Sequence, residues 1–505
     1  MTPTRRTRER IRWALWVGLL LSIPVTSFPY FPLPQAFGEA LVRPLALYPL
    51  GALLMMEVLV PEPPRRKWPR VLAPILAFAA VATAVTALAL LDPALPIRDQ
   101  APLARAARGE ITLAIGLGFL FMTWRMAATP ERIRASLRWL LIGLAVSVGW
   151  GLLQGSRLVF RWPYYAPLNA VQRLISTWDL NPYRVSGLTY EPSWFADQLV
   201  VLLFPALLAS LLSGSRLLVR RTGGWLAEAA LFGAGLICLA LSYSRGGALT
   251  FAVSTVLGLG VALLSGWLHL RGTPTSRATR PDAGRRNWRK LALRTALVLA
   301  VAVPLAAILG TLASRNEYFA LLWQSLGKLQ DLPAYFLSLG ASTRYALAVS
   351  AWEVFRAHPL AGVGLGQSGF YLFDHIPNWA LDRNPEMAFL LAPGSWTFPN
   401  PKNLWVRLLA ETGIVGSVFF LVFLLLLAAG SLSLLSRRSP FQRLIGLYGV
   451  ISGPAILLSG TSLDSFALPT LWIALGIVAS GIHVFTAGGD PQEAEPPPRV
   501  PATIR

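Results

Sequence analysis

The chain has 505 residues and a formal net charge of +21, with 54% hydrophobic and 14% charged residues and a mean hydropathy of +0.54. That balance excludes a soluble enzyme and describes an all-α integral membrane protein that crosses the bilayer many times. A single cysteine, Cys238, excludes a disulfide framework and a cysteine-based metal site.

Apolar runs of about 20 residues, the length that spans a hydrocarbon core, predict about twelve transmembrane helices. They fall near 13–31, 38–60, 71–91, 109–124, 139–155, 194–213, 225–243, 247–269, 292–313, 413–435, 444–462 and 466–485. The first follows MTPTRRTRERIR and has no A-x-A-like cleavage site after it, so it reads as an uncleaved span. Residues 1–313 then hold spans one to nine, 314–402 form a large external helical segment, and 403–486 hold the last three spans. The polar, Pro-rich residues 487–505 are expected to be a disordered tail.

Alternate connections separate by charge. One side carries Arg5, Arg6, Arg8, Arg10 and Arg12, the group Arg65 to Arg70, the group Arg125 to Arg138, Arg216, Arg220 and Arg221, eight basic residues between Arg271 and Arg294, and Arg437, Arg438 and Arg443. Only Glu9, Glu62, Glu131 and Asp282 oppose them. Positive loops stay inside, so this side and both termini are expected in the cytoplasm. Topology thereby accounts for the net charge. Attraction to anionic membrane lipid is the expected consequence, and nucleic acid is not a partner.

Two external pieces remain, a loop near 156–192 and the segment 314–402. In the larger one acidic and basic residues balance, and aromatic residues such as Trp352, Tyr345 and Trp379 recur. Such rings stack on sugars but suit the membrane interface better still. STRYALAVSAWEVFRAH has helical spacing and is expected to lie against the bundle. It ends at HPLAGVGLGQSGF, where Pro359 and four glycines force turns that either bring N–H groups to an anion or provide loop flexibility.

Arg245 sits in LALSYSRGGALTFAV, at the outer turn between two spans. Arginine near lipid faces a cavity, a partner or a substrate. Arg344, Arg184 and Arg43 fall on the same side, with Arg43 just inside the outer end of the second span. Several guanidiniums at one boundary suit a lipid pyrophosphate, which they bind by paired charge-assisted hydrogen bonds. Each is equally well read as a snorkelling anchor or as half of an ion pair with Glu191, Asp197 or Glu411.

SRGG at the end of a span, then Arg344 followed by HPLAGVGLG, then PKNLWVRLLAETGIVG entering the next span, resemble the O-antigen ligase and O-antigen polymerase superfamily of WaaL-like and Wzy-like proteins. RVSGLTYEPSWFA and SGTSLDSFALP are also similar to segments of that superfamily. The resemblance covers roughly residues 180–470. It implies inverting, metal-independent and cofactor-free glycosyl transfer at the outer face of a bacterial cytoplasmic membrane, from a polyprenyl-pyrophosphate-linked oligosaccharide. It implies lipopolysaccharide or other envelope polysaccharide as product, and makes a chain-length-regulating co-polymerase a candidate partner. Carried over by position, Arg245 and Arg344 would hold the donor pyrophosphate.

Ligases resemble one another in a His-Asn-like pair where this chain reads Lys402 and Asn403. A protonated lysine cannot accept a proton, which favours polymerase over ligase. The candidate bases are Glu191, Asp197, Glu411, His358 and Asp464, with Glu191 preferred. His358, at a helix end, is expected to orient the turn at Pro359, and Glu411 to pair with Arg407 at i, i+4. Arg184, Arg43, His358, Lys402, Asn403, Glu411, Asp464 and Trp352 complete the expected substrate-binding set. The rival from another class is a twelve-span secondary transporter. Its usual long loop after span six is here only SGSRLLVRRTGG.

Overall fold

The computed structural model describes residues 3–30, 42–60, 68–218, 224–271, 296, 320–321, 324–381, 384–395, 397–437 and 439–487. Its helices in chain order are α1 (Pro3–Ser22), α2 (Leu47–Leu59), α3 (Ala73–Ala89), α4 (Pro102–Met126), α5 (Pro130–Phe160), α6 (Tyr165–Ile175), α7 (Pro192–Ser213), α8 (Gly224–Leu241) and α9 (Arg245–Arg271). After them come α10 (Leu332–Ser338), α11 (Ser342–Ala357), α12 (Pro385–Leu391), α13 (Leu404–Leu435), α14 (Pro440–Ser459) and α15 (Pro469–Ala487). Among the described residues nine helices are long and apolar enough to cross a membrane: α3 with the turn before it, α4, α5, α7, α8, α9, α13, α14 and α15. This is an all-α integral membrane protein. The ninth expected span, 292–313, lies outside the described residues except for residue 296, and the tail from 488 lies outside them entirely.

Elements begin where the local chemistry predicts. Thr129 caps α5, accepting a hydrogen bond from Arg132 N, with Pro130 at the first helical position and Glu131 in the first turn. Asn403 caps α13 through two bonds, from Trp405 N (3.0 Å) and Val406 N (3.2 Å). α7 is the central helix, since 94% of its apolar window is buried, and a π-helical stretch at Leu199–Leu203 interrupts it. Without a hydrophobic drive between helices in lipid, close approach depends on small residues. On α4, a Cβ at Gly116 would meet the Trp472 indole of α15 at 2.1 Å.

The second expected span is shorter than its apolar run. Helix α2 has 13 residues, about 20 Å at 1.5 Å per residue. Arg43 precedes Pro44, which disfavours helical backbone. Arg43 instead pairs with the chain after α1, Phe28 N donating to Arg43 O and Arg43 N to Thr26 O. The expectation that Arg43 lies inside a span is therefore corrected. Helices α4 and α5, in contrast, run past their apolar windows at both ends.

The helix ends sort into two layers. At the basic end Glu57 of α2 lies 3.6 Å from Arg12 of α1 and 3.4 Å from Arg125 of α4. Glu228 is fully buried there, accepting from Leu217 N and Ser210 Oγ, with Arg216 at 3.8 Å. At the opposite, distal end lie the turns between spans and the large inserted segment. That segment has its own core of Ala346, Leu347, Ala351, Val354, Leu372, Met387 and Leu390, joined to α13 through Ala410. As expected, α11 lies against the bundle, burying Ala346, Leu347, Ser350, Ala351 and Val354. Removing one partner from a buried charge group costs about 3 kcal/mol or more, and Arg12 is 5% exposed. Glu57→Ala is expected to lower the thermal unfolding midpoint of the detergent-purified protein by several degrees; a midpoint equal to wild type would refute this role for Glu57.

Candidate functional site

The loop between α14 and α15 organises the distal end. Gly460 O accepts from Leu404 N at 2.7 Å. Ser462 O accepts from Arg344 Nη1 at 3.1 Å. Asp464 accepts twice, its side chain from Lys402 N (3.2 Å) and its carbonyl from Arg407 Nη1 (2.6 Å). On the inner side of the loop, Asp197 of α7 meets the Ser459 and Thr470 hydroxyls. Asp197, Ser459, Gly460, Leu463, Ser465 and Thr470 line a small, open cleft of about 40 Å³.

Two of the expected arginines converge on this region. Arg245 opens α9, and its Nη2 donates to Leu339 O at 2.6 Å. Five residues beyond Leu339, after a left-handed turn at Gly340, is Arg344. Arg344 is exposed, and most of its fork faces outward. Arg184 braces the same turn from the other side, Nε to Ser242 O at 2.8 Å. The second glycine of SRGG has a packing reason: a Cβ at Gly247 would meet the Ala196 Cβ at 2.6 Å. That contact seats α9 against α7, one residue before Asp197.

The Gly-rich turn has a different role from either that its spacing suggested. Its N–H groups go to protein acceptors: Gly362 to His358 O, Val363 to Ala410 O, Gly364 to Glu411 O, and Leu365 to Thr86 Oγ1. Helix α13 makes room by leaving helical geometry at Gly413, where φ is 60°. A Cβ there would lie 2.2 Å from Leu360 O. The turn is a docking plug, neither an anion nest nor a flexible loop. Glu411, 2% exposed, locks it, accepting from Ser368 Oγ at 2.8 Å and Arg407 Nε at 3.0 Å. The expected i, i+4 pair is present.

Residues 230–421, which include Arg245, Arg344, the docked turn and Glu411, match the O-antigen ligase family model. This part of the chain is similar to the O-antigen ligase family. No curated protein matches the chain.

The other expected residues lie both within and outside residues 230–421. Glu191 precedes α7 and its carboxylate accepts from Ser193 Oγ. Burial, and then the Glu191 charge, push the neighbouring Tyr190 phenol above its ordinary range. Lys402 adopts a left-handed backbone with φ 52°, and Asn403 uses its oxygen as the α13 cap. His358 ends α11, as expected, its ring 5.8 Å from Tyr371. Trp352 is 44% exposed, with Phe355 beside it. Arg43 lies at the distal end in its extended pairing. Next to Arg344, Tyr345 stacks between Phe336 (4.6 Å) and Trp379 (5.4 Å).

Sequence reasoning missed a basic group on α4. Arg105 lies over the Phe398 ring at 3.9 Å and within electrostatic reach of Arg108, Arg407, Glu411 and Asp464. The available signal was helical spacing in PLARAARGEITLA, which continues α4 outward beyond its apolar run. Among the described residues no cluster of His, Cys, Asp or Glu is arranged to hold a metal. Gly413→Ala combines a disfavoured φ with a clash, which together cost several kcal/mol. Its expected effect is undocking of the plug, read as faster proteolysis within 324–398; a digestion pattern like wild type would contradict the docking role.

Proposed function

We propose that the protein is a polysaccharide polymerase of the O-antigen type, which transfers a growing glycan from polyprenyl pyrophosphate to a lipid-linked repeat unit. The observation that carries this reading is a pair of guanidiniums at the distal end, Arg245 bonded to Leu339 O and Arg344, five residues beyond Leu339, bonded to Ser462 O in the loop that lines the Asp197 cleft. Breaking the anomeric C–O bond leaves negative charge on the pyrophosphate. Guanidiniums held by backbone carbonyls are preorganised for that charge, which is where electrostatic catalysis has most effect.

In the transfer step, a sugar hydroxyl of the repeat unit attacks the anomeric carbon from the face opposite the pyrophosphate. The new glycosidic bond forms as the old bond breaks, the configuration inverts, and the hydroxyl proton passes to a carboxylate. Glu191 was the carboxylate expected from the sequence. Its engagement with Ser193 and the position of Asp197 on the cleft favour Asp197 for this proton. Lys402 and the stacked Phe336, Tyr345 and Trp379 are assigned to glycan and phosphate binding. Lys402 in place of a histidine favours polymerase over ligase.

The deciding assay is transfer by the reconstituted full-length protein given only a polyprenyl-pyrophosphate repeat unit. Wild type is expected to give a gel ladder, and Arg245→Ala and Arg344→Ala to slow it by about a hundredfold each. Full activity in both variants would remove the arginine mechanism. Product only after addition of a lipid A core acceptor would identify a ligase, and flux without transfer a transporter.

The proposed setting is the bacterial cytoplasmic membrane, with both termini inside and the arginine turn outside. The native Cys238 is fully buried, so single cysteines report cleanly. In intact cells a membrane-impermeant maleimide is expected to label Ala357→Cys and to spare Ser436→Cys. The reverse pattern would invert the topology.

A further inference from the structure

Arg105 has a feature that the donor site does not use. It is largely buried at the distal end of α4, yet its guanidinium makes no hydrogen bond or ion pair among the described residues, and its Nε is enclosed without an acceptor. Its one side-chain contact of note is the Phe398 ring, 3.9 Å away. A guanidinium with an enclosed Nε and no paired carboxylate is costly, so such a site suits an anion that arrives.

The surroundings hold this guanidinium in place. Gly366 of the docked turn lies so close that a Cβ would approach Arg105 O to 2.4 Å, and Gly369 packs against Phe398 in the same way at 2.1 Å. Phe398 also meets Phe370 edge-on at 5.0 Å. Arg98 clamps the adjoining strip by donating to Leu390 O and Thr397 O. Of the charged groups within reach, Glu411 already pairs with Arg407, and Asp464 lies on the loop that Arg344 contacts through Ser462. Arg105 thus shares these two carboxylates with Arg108 and Arg407.

We infer that Arg105, stacked on Phe398 and supported by Arg108, forms a second pyrophosphate subsite, which holds the lipid-linked acceptor while Arg245 and Arg344 hold the donor. This rests on the polymerase reading, because only an acceptor that is itself polyprenyl-linked brings a second pyrophosphate. Arg105 is within electrostatic reach of Asp464 on the same loop that receives Arg344 through Ser462, so the acceptor sugar can extend from one subsite to the anomeric carbon anchored at the other. Arg105 contacts the acceptor's phosphate and takes no part in bond making. Arg105 and Arg108 lie outside the matched residues 230–421, and Phe398 lies within them.

The test is the binding stoichiometry of the full-length protein in lipid nanodiscs, titrated with polyprenyl pyrophosphate and read by native mass spectrometry. Wild type is expected to bind two molecules, and Arg105→Gln and Arg245→Ala one each. Two bound to Arg105→Gln, or one bound to both wild type and Arg105→Gln, would overturn the subsite. If Arg105→Gln drops to one while Arg245→Ala keeps two, the subsite stands and the donor assignment falls. Inorganic pyrophosphate is titrated in parallel. A second site filled by the lipid form supports the acceptor role, whereas one filled by the inorganic form alone overturns it. The apo guanidinium makes no hydrogen bond, so Arg105→Gln is expected to melt no lower than wild type. Arg105→Lys, which keeps the charge but loses the planar fork, covers the case of misfolding and is expected to weaken the second site roughly tenfold. In transfer assays Arg105→Gln is expected to raise KM about tenfold with kcat little changed, whereas Arg245→Ala lowers kcat.

Discussion

A carboxylate buried at the end of a membrane helix must be matched by charge and hydrogen bonds, and the match made for Glu411 fixes the distal half of this protein. Arg407, one turn earlier on α13, supplies the charge, and Ser368 supplies a hydroxyl from a segment more than forty residues away in sequence. The same Arg407 donates to Asp464 O, so the ion pair also pins the loop between α14 and α15. That loop in turn receives Arg344 and, on its inner side, Asp197. One buried pair thus transmits position from the plug to the arginines, with no chain continuity between them.

The break at Gly413 makes this possible. A continuous helix satisfies its own carbonyls, leaving nothing for a docking segment to bind. Because α13 departs from helical geometry there, Ala410 O and Glu411 O accept from Val363 N and Gly364 N, and two α13 N–H groups return the favour to Pro359 O and Leu360 O. The plug then reaches past α13 to Thr86 on α3 and Pro102 on α4. Four of the six contacts named here are backbone to backbone. Specificity lies in the shape of the glycine turn more than in its side chains.

What the sequence revealed, and what it hid, follows from the range of each interaction. Hydropathy sums over about twenty neighbours, so it found the spans, and alternating loop charge sorted their ends into layers. It erred where one residue overrides the sum: Pro44 holds Arg43 in extended backbone, and α2 starts late. It also erred at α4, where Arg105, Arg108 and Glu110 lower the average while the helix continues through them. The Arg407–Glu411 pair was readable because it is local, at i, i+4. That Arg245 binds Leu339 O and Arg344 binds Ser462 O was not, because both depend on how distant turns pack. The glycine spacing indicated a tight turn but not its partner surface, and so gave no sign that its N–H groups were committed to protein.

The short stretch from Lys402 to Asn403 shows how a substituted position can keep its geometry and change its chemistry. Asn403 caps α13 with its side-chain oxygen, and Lys402 turns the backbone left-handed so that its N–H meets Asp464. Both tasks use backbone placement and leave the Lys402 side chain without a structural duty among these contacts. A lysine there adds a basic side chain to a region that already holds the guanidiniums of Arg105, Arg108 and Arg407. Asp197 of α7 lines the cleft and is held by the Ser459 and Thr470 hydroxyls; in the proposed reaction the cations around the loop serve the phosphates and this carboxylate serves the hydroxyl.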